Sequence, residues 1–254
     1  MSVCANFAVA VFCGFYLVFH FDASGLTWLQ FLGALLLGYF FADFASGLVH
    51  WGIDTWFDER VVFDRAVTIA REHHTHPQNI FGYGFLEHST LGSAPSAVVV
   101  GLASLVTGWF PVSPVVYSLM TCWWVTSTCL FFGTSFHNLG HRRTNSPFIR
   151  LLQKLHIVIT PQHHLVHHRN DQTVHYCVIN GWANGICDRF QVWRGLEWFV
   201  HALTGAEPRQ DDLEWQRRFR ETGTLTRPSA NSSQSNEVHT ARVGPPAREP
   251  AAGT

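Results

Sequence analysis

The chain has 254 residues, enough for one sizeable domain. Its 17 Lys and Arg balance 18 Asp and Glu to a net charge of −1, which excludes the basic surface that nucleic-acid binding requires. Charged residues are only 14 % of the chain, and 21 Phe with 10 Trp complete the composition of a membrane protein.

Val3 to Phe19 is a nearly unbroken apolar run, close to the length that crosses a bilayer. No Lys or Arg precedes it, so it lacks the basic start of a signal peptide and reads as a first transmembrane helix; a cleaved signal is the rival. After a turn at 20–25, a second run from Leu26 to Trp51 ends in Asp43, Ser46 and His50. Polar groups are costly at the bilayer centre, so that end is expected to face protein or water. Residues 52–93 are polar and aromatic and read as extramembrane. Ala94 to Phe110 and Val115 to Phe136 are two further apolar runs, separated by Pro111 and Pro114, and predict a helical hairpin.

These runs predict an all-α membrane protein with about four transmembrane helices. All 17 Lys and Arg then fall on one side, with both termini, which places that side in the cytosol. Every clustered histidine falls on the same side, as a His-rich cap. Pro147 to Ile159 reads as an amphipathic helix at the interface, with Arg142, Arg143 and Lys154 as phosphate contacts or simple anchors. Residues 175–205 read as folded, with an apolar helix around Trp193–Leu203. The segment from Arg227 to Thr254 has the composition of a disordered tail. The six cysteines form no C-x-x-C pair and read as small core residues.

Sixteen histidines are present, and their spacing carries more than their number. His163, His164, His167 and His168 fall within Pro161–His168, where residues four apart share a helix face. His137 and His141 are also four apart, His73 and His74 are adjacent, and His50 stands four before Asp54. Nine clustered imidazoles exceed the needs of one ion and suit two. Two ions held by neutral imidazoles at a membrane surface point to O2 chemistry on lipid chains. Removing hydrogen from an unactivated C–H bond needs an oxidant that iron with O2 supplies and side chains do not. Asp54, Glu72 and Asp171 are candidate acceptors for ring N–H groups, with direct ligation by one of them as the alternative. His156 is a candidate ligand or supporting group, and His76 and His88 stay open. His175 reads as structural; His20, His201 and His239 are isolated and read as incidental. A zinc-dependent membrane hydrolase and a metal transporter are the rivals from other classes.

The stretches Asp43 to Trp56, Arg71-Glu72-His73-His74, His137 with His141, His163-His164-Leu165-Val166-His167-His168, Tyr176-Cys177, Gly181-Trp182 and Asn184 together resemble the Kua/CarF lipid-desaturase family. Trp193 to Glu197 and Leu203 to Asp212 resemble its animal and bacterial branch, and the likeness runs from about Leu35 to Arg220. On this resemblance residues 1–25 hold the first helix and turn, 26–220 the desaturase domain and 221–254 the tail. It implies that two hydrogens are removed beside the ether oxygen of an alkyl ether phospholipid, giving the vinyl ether of plasmalogens. It also implies two irons, O2, cytochrome b5 as electron donor and residence in the endoplasmic reticulum. The family's metal histidines map onto His50, His73, His74, His137, His141, His163, His164, His167 and His168, with Asp54 and His156 also at family positions; Glu72 precedes the His pair. The chain departs at His76, where the family carries Asp, and at Gly82-Tyr83-Gly84-Phe85, where a further His is common. A plastid branch that desaturates the acyl chain of phosphatidylglycerol is the alternative within the family.

Overall fold

The computed structural model describes residues 3–57, 67, 70, 71, 73, 74, 76–107, 109–111, 113–142, 145–169 and 172–208. Among these, all regular structure is helical: α1 (Val3–Phe19), α2 (Trp28–Thr55), α3 (Phe85–Thr107), α4 (Pro114–Phe131), α5 (Gly133–His141), α6 (Pro147–Lys154), α7 (Pro161–Arg169), α8 (Asn184–Arg189) and α9 (Val192–Thr204). Val67, Ala70, Arg71, His73 and His74 are helical as well, and two short 3-10 turns fall at Asp22–Ser24 and Asn79–Gly82.

Helix α2 is the axis of the molecule. Thr27 and Gln30 form a capping box at its start, each side chain accepting from the other's backbone N–H (2.9 and 3.3 Å). Its 28 residues make about 42 Å at the helical rise. That exceeds the roughly 30 Å of a bilayer core by two turns or more. The sequence places the end of this run at Trp51; the helix continues through Asp54 and carries His50 with it.

Small residues let α4 close onto both α2 and α3. A Cβ on Gly38 would lie 2.6 Å from the Cys122 carbonyl, and one on Gly92 would clash with the Leu130 and Phe131 carbonyls. Such close backbone approach needs residues without bulky side chains at the contact. Thr126 Oγ1 donates to the Gly38 carbonyl (3.0 Å), and Asn6, Ser96 and Ser127 form a buried polar knot joining α1, α3 and α4.

Of the four expected spans, α2 alone is long and apolar enough to cross a membrane by itself. Helices α4 and α5 qualify only as one span bent by 54° at Phe132. Helix α1 has 17 residues, and α3 opens with Glu87, His88, Ser89 and Thr90, which lower its apolar character. The expected amphipathic helix to Ile159 stops at Lys154. His156 takes φ +54°, and the chain turns so that Ile159 N–H donates to the Ile179 carbonyl (2.8 Å).

The segment 176–204 packs on the far end of α2. Trp51, Tyr176, Cys177, Ala183, Cys187 and Trp193 form its buried core. The Asp43 carboxylate, inside α2, accepts from the backbone N–H groups of Ile179, Asn180, Gly181 and Ala183 (3.0–3.1 Å). Ser46 Oγ accepts from Val178 N–H (3.1 Å). One turn of α2 therefore nails down a loop that would otherwise bury unsatisfied donors.

Candidate metal centre

Four elements bring their imidazoles to one place beneath this lobe. Helix α5 supplies His137 and His141, and α7 supplies His164, His167 and His168. The end of α2 supplies His50 and Asp54, and His73 and His74 come from the helical residues before α3. They fall into two groups whose donor atoms lie within 4.8 Å of one another: His73, His137, His141, His164 and His168, and His50, Asp54, His74 and His167. The rings of His73 and His74 are 4.4 Å apart, so the groups lie side by side.

In the first group the Nε2 atoms of His137 and His164 are 2.8 Å apart. His141 Nε2 lies 2.9 Å from that of His164 and 3.1 Å from that of His137, and His168 Nε2 lies 3.1 Å from His164 Nε2. In the second, Asp54 Oδ2 lies 3.3, 3.6 and 3.5 Å from the Nε2 atoms of His50, His74 and His167. Two nitrogens each about 2.1 Å from one ion and at a right angle are about 3.0 Å apart.

The tautomers strengthen the fit. His50 Nδ1–H donates to the Tyr176 carbonyl (3.0 Å), and His167 Nδ1–H donates to the Val174 carbonyl (2.8 Å). A neutral ring has one N–H, so both Nε2 atoms present lone pairs to the Asp54 carboxylate. Lone pairs facing a carboxylate in a buried site call for a cation between them. His73 and His164 add buried ring nitrogens, Nδ1 and Nε2 of His73 and Nδ1 of His164, that have no hydrogen-bond partner among the described residues. The donor set therefore fits two metal ions.

Burial keeps these rings neutral. Desolvation first, then the neighbouring imidazoles, hold His73, His137, His164 and His167 well below the ordinary histidine value. The same causes bring His141 down to about 4 and His168 to about 2. A histidine in the unfolded chain titrates near 6.5. Below about pH 6.5 the unfolded chain therefore binds protons that the folded chain refuses, and stability falls as pH falls, by up to about 1.4 kcal/mol per pH unit for each such ring. We expect the unfolding temperature of the metal-free protein to be flat above about pH 7 and to drop steeply between about pH 6 and 4. A flat profile down to pH 5 contradicts neutral burial.

Other residues singled out in the sequence lie elsewhere. His163, although next to His164, joins neither group. Its Nε2 accepts from Asn184 Nδ2 (3.0 Å), and it packs so closely on Gly181 that a Cβ there would lie 2.6 Å from Nε2. Gly181 also has φ +82°, so two constraints hold that position to glycine. His156 stands in the turn after α6, where its carbonyl accepts from Trp182 Nε1 (2.8 Å). His88 Nε2 accepts from Asn138 Nδ2 (3.0 Å) and braces α5 from α3, and His76 joins neither group. Glu72 and Asp171 lie outside the described residues. The sequence underweighted Asp43 and Asn184. Asn184 pairs with both backbone groups of Cys177 (2.8 and 2.9 Å) and seats His163. The signal for Asp43 was its place as an acid within an apolar run.

A helical scaffold holding two adjacent histidine-rich groups at the end of an apolar helix is compatible with a metal-binding enzyme. The lipid desaturase domain matches residues 39–211, and the chain belongs to that family. It is therefore a desaturase, an oxidoreductase acting on lipid with O2. It is 32 % identical over 193 residues to mouse plasmanylethanolamine desaturase 1, covering 73 % of this chain and 70 % of the relative. It is 33 % identical over 193 residues to the plasmanylethanolamine desaturase of Myxococcus xanthus, covering 74 % and 66 %. Identity to the chloroplastic fatty acid desaturase 4-like 1 of Arabidopsis thaliana is 25 % over 211 residues, covering 82 % and 66 %. No solved structure matches the chain.

Proposed function

We propose that this chain is a plasmanylethanolamine desaturase, which converts the alkyl ether of a phospholipid into the vinyl ether of a plasmalogen. The two relatives of that name share a third of their aligned residues with it. The observation that carries the reading is an apolar cavity that ends on the histidines. It is walled by Val49, Ile53, Leu91, Pro95 and Leu130, and reaches His50, His73 and His137. Val49, Ile53, Leu91 and Pro95 also wall a larger groove between α2 and α3, which continues to Leu48, Phe57 and Val98. A long alkyl chain fits such a path; a soluble polar substrate does not.

The reaction is R–O–CH2–CH2–R′ + O2 + 2 electrons + 2 protons → R–O–CH=CH–R′ + 2 H2O. His73, His137, His141, His164 and His168 would hold one iron and His50, Asp54, His74 and His167 a second, and with O2 this pair would supply the oxidising power that C–H removal demands. The chain does the rest. Asp54 and the eight neutral imidazoles form a buried ligand cage that carries one negative charge, and the Tyr176 and Val174 carbonyls fix the orientation of His50 and His167. The apolar walls keep water from the reacting carbons.

The four-span arrangement is part of this reading. Phe12, Phe15 and Val18 of α1, Leu29 and Leu32 of α2, and Val98, Leu102 and Leu105 of α3 are exposed apolar side chains of the kind lipid covers. Phe148 and Leu151 of α6 and Trp198, Phe199 and Leu203 of α9 extend the apolar surface to the lobe, as interfacial helices do. The His-rich cap and both termini face the cytosol in the endoplasmic reticulum, and cytochrome b5 donates electrons. Exposed Arg142, Arg150, Lys154 and Arg169 offer an acidic donor a basic surface beside α5–α7.

Expression in cells that contain alkyl ether phospholipids but lack their own desaturase tests the reading. Acid-labile vinyl-ether lipids are expected in the mass spectrum with the intact chain, and none with His167→Ala. Acid-stable unsaturated acyl lipids instead would move the assignment to the acyl-lipid desaturases.

A further inference from the structure

We propose that the hydroxyl of Thr134 is the donor that holds the substrate's ether oxygen, and so sets which carbons face the metal centre. This rests on the ether-lipid reading above. Thr134 lines the cavity that ends on His50, His73 and His137. It stands three residues before His137 on α5, on the same helix face.

The polar side chains in that cavity wall are few: Ser46, His50, His73, Thr134 and His137. The three histidines belong to the two metal-binding groups. The Ser46 hydroxyl is committed, donating to the Asp43 carbonyl (2.7 Å) and accepting from Val178 N–H (3.1 Å). Thr134 carries the other hydroxyl in the wall, and it makes no hydrogen bond to any described residue. Ser93, Ser118, Thr121 and Thr126 all bond back to a carbonyl of the preceding helical turn, at 2.7–2.9 Å.

An ether oxygen accepts hydrogen bonds and donates none. Inside an apolar cavity it loses the water that satisfied it, so one donor in the right place decides where it rests. The carbons to be desaturated are the first and second beyond that oxygen. Fixing the oxygen therefore fixes the register of the whole chain along the cavity. In the product the oxygen lone pair delocalises into the new double bond and accepts more weakly, so the contact favours substrate over product. Thr134 acts as a positioning and specificity residue; the methyl group of its side chain suits the apolar wall.

The test compares intact, metal-loaded full-length enzyme with Thr134→Val, Thr134→Ala and Thr134→Ser on an alkyl ether phosphatidylethanolamine in bilayer nanodiscs. Thr134→Val should lower kcat/KM for vinyl-ether formation by roughly 10- to 100-fold. Metal content and unfolding temperature should stay at the wild-type level. Part of its remaining product should carry acid-stable double bonds further along the chain, the mark of lost register. Thr134→Ser should restore the rate to within a few-fold and return the product to the acid-labile form. Thr134→Ala repeats the comparison without the added methyl group. Wild-type rate and wholly acid-labile product from Thr134→Val would overturn the assignment while leaving the ether-lipid reading intact. Loss of metal in both hydroxyl-free variants would show a structural role and overturn it as well. A wild-type enzyme that forms no vinyl ether would sink the ether-lipid reading, and this assignment with it.

Discussion

His164→Ala is expected to abolish desaturation, by about a thousandfold or more, while the protein still folds and inserts. Its Nε2 is the meeting point of the first group, at 2.8 Å from that of His137, 2.9 Å from His141 and 3.1 Å from His168. The side chain is 1 % exposed and packs against Gly140, where an added Cβ would lie 3.1 Å from its own. Alanine removes one donor and leaves a buried gap in its place. Supporting groups alone change metal affinity or activity by 10- to 100-fold, and a donor at the centre of a group is expected to exceed that. His163→Ala, one residue earlier, is the matched control. Its ring faces Asn184 and Gly181, so metal content should stay near wild type. Parallel metal analysis of the two variants checks both statements, and equal metal loss from the two would count against the division of α7 drawn here.

The second large effect is structural. Asp43→Ala is expected to remove the folded protein from detergent extracts. Four backbone N–H groups, those of Ile179, Asn180, Gly181 and Ala183, lose their acceptor together. At about 1 kcal/mol or more for each buried donor left unsatisfied, the loss reaches about 4 kcal/mol. Typical stabilities are only about 5–15 kcal/mol. The same loop carries Tyr176 and Gly181, so orientation of His50 and seating of His163 fail with it. Asp43→Asn keeps one acceptor oxygen and should fall between. Size-exclusion profiles and unfolding temperatures of the three proteins give the order wild type, Asn, Ala. An Asp43→Ala protein as stable as wild type would mean that the loop is held by packing alone.

Much of this was legible in the sequence because the helical period is local. The pairs His137/His141 and His164/His168 lie four apart, and each pair lands in one group. His50 and Asp54 share a helix face by the same rule, and both enter the second group. Periodicity alone did not divide the nine imidazoles, because the division depends on contacts far apart in the chain. His74 meets His167 across 93 positions, at 3.3 Å between Nε2 atoms. His163 shows the limit from the other side. It satisfies the four-residue spacing with His167, yet it stands in the first turn of α7, where the 181–184 segment takes it up. Spacing fixes which face a residue is on; the neighbour on that face is set by tertiary packing. The expected helix through Ile159 failed for a related reason. Its apolar residues have the right period, but pairing of Ile159 with Ile179 competes with helix continuation and wins. Span boundaries were also hard to read, since α2 stays helical well beyond its apolar part.

The most direct test is the metal content of the purified full-length protein, measured together with turnover on an alkyl ether phospholipid. Two groups, one of five imidazoles and one of three imidazoles with a carboxylate, predict two irons per chain. Activity should rise with iron loading and reach its maximum at two. Protein that forms vinyl ether with one metal ion, or that holds a single zinc and forms none at any iron loading, would contradict the account.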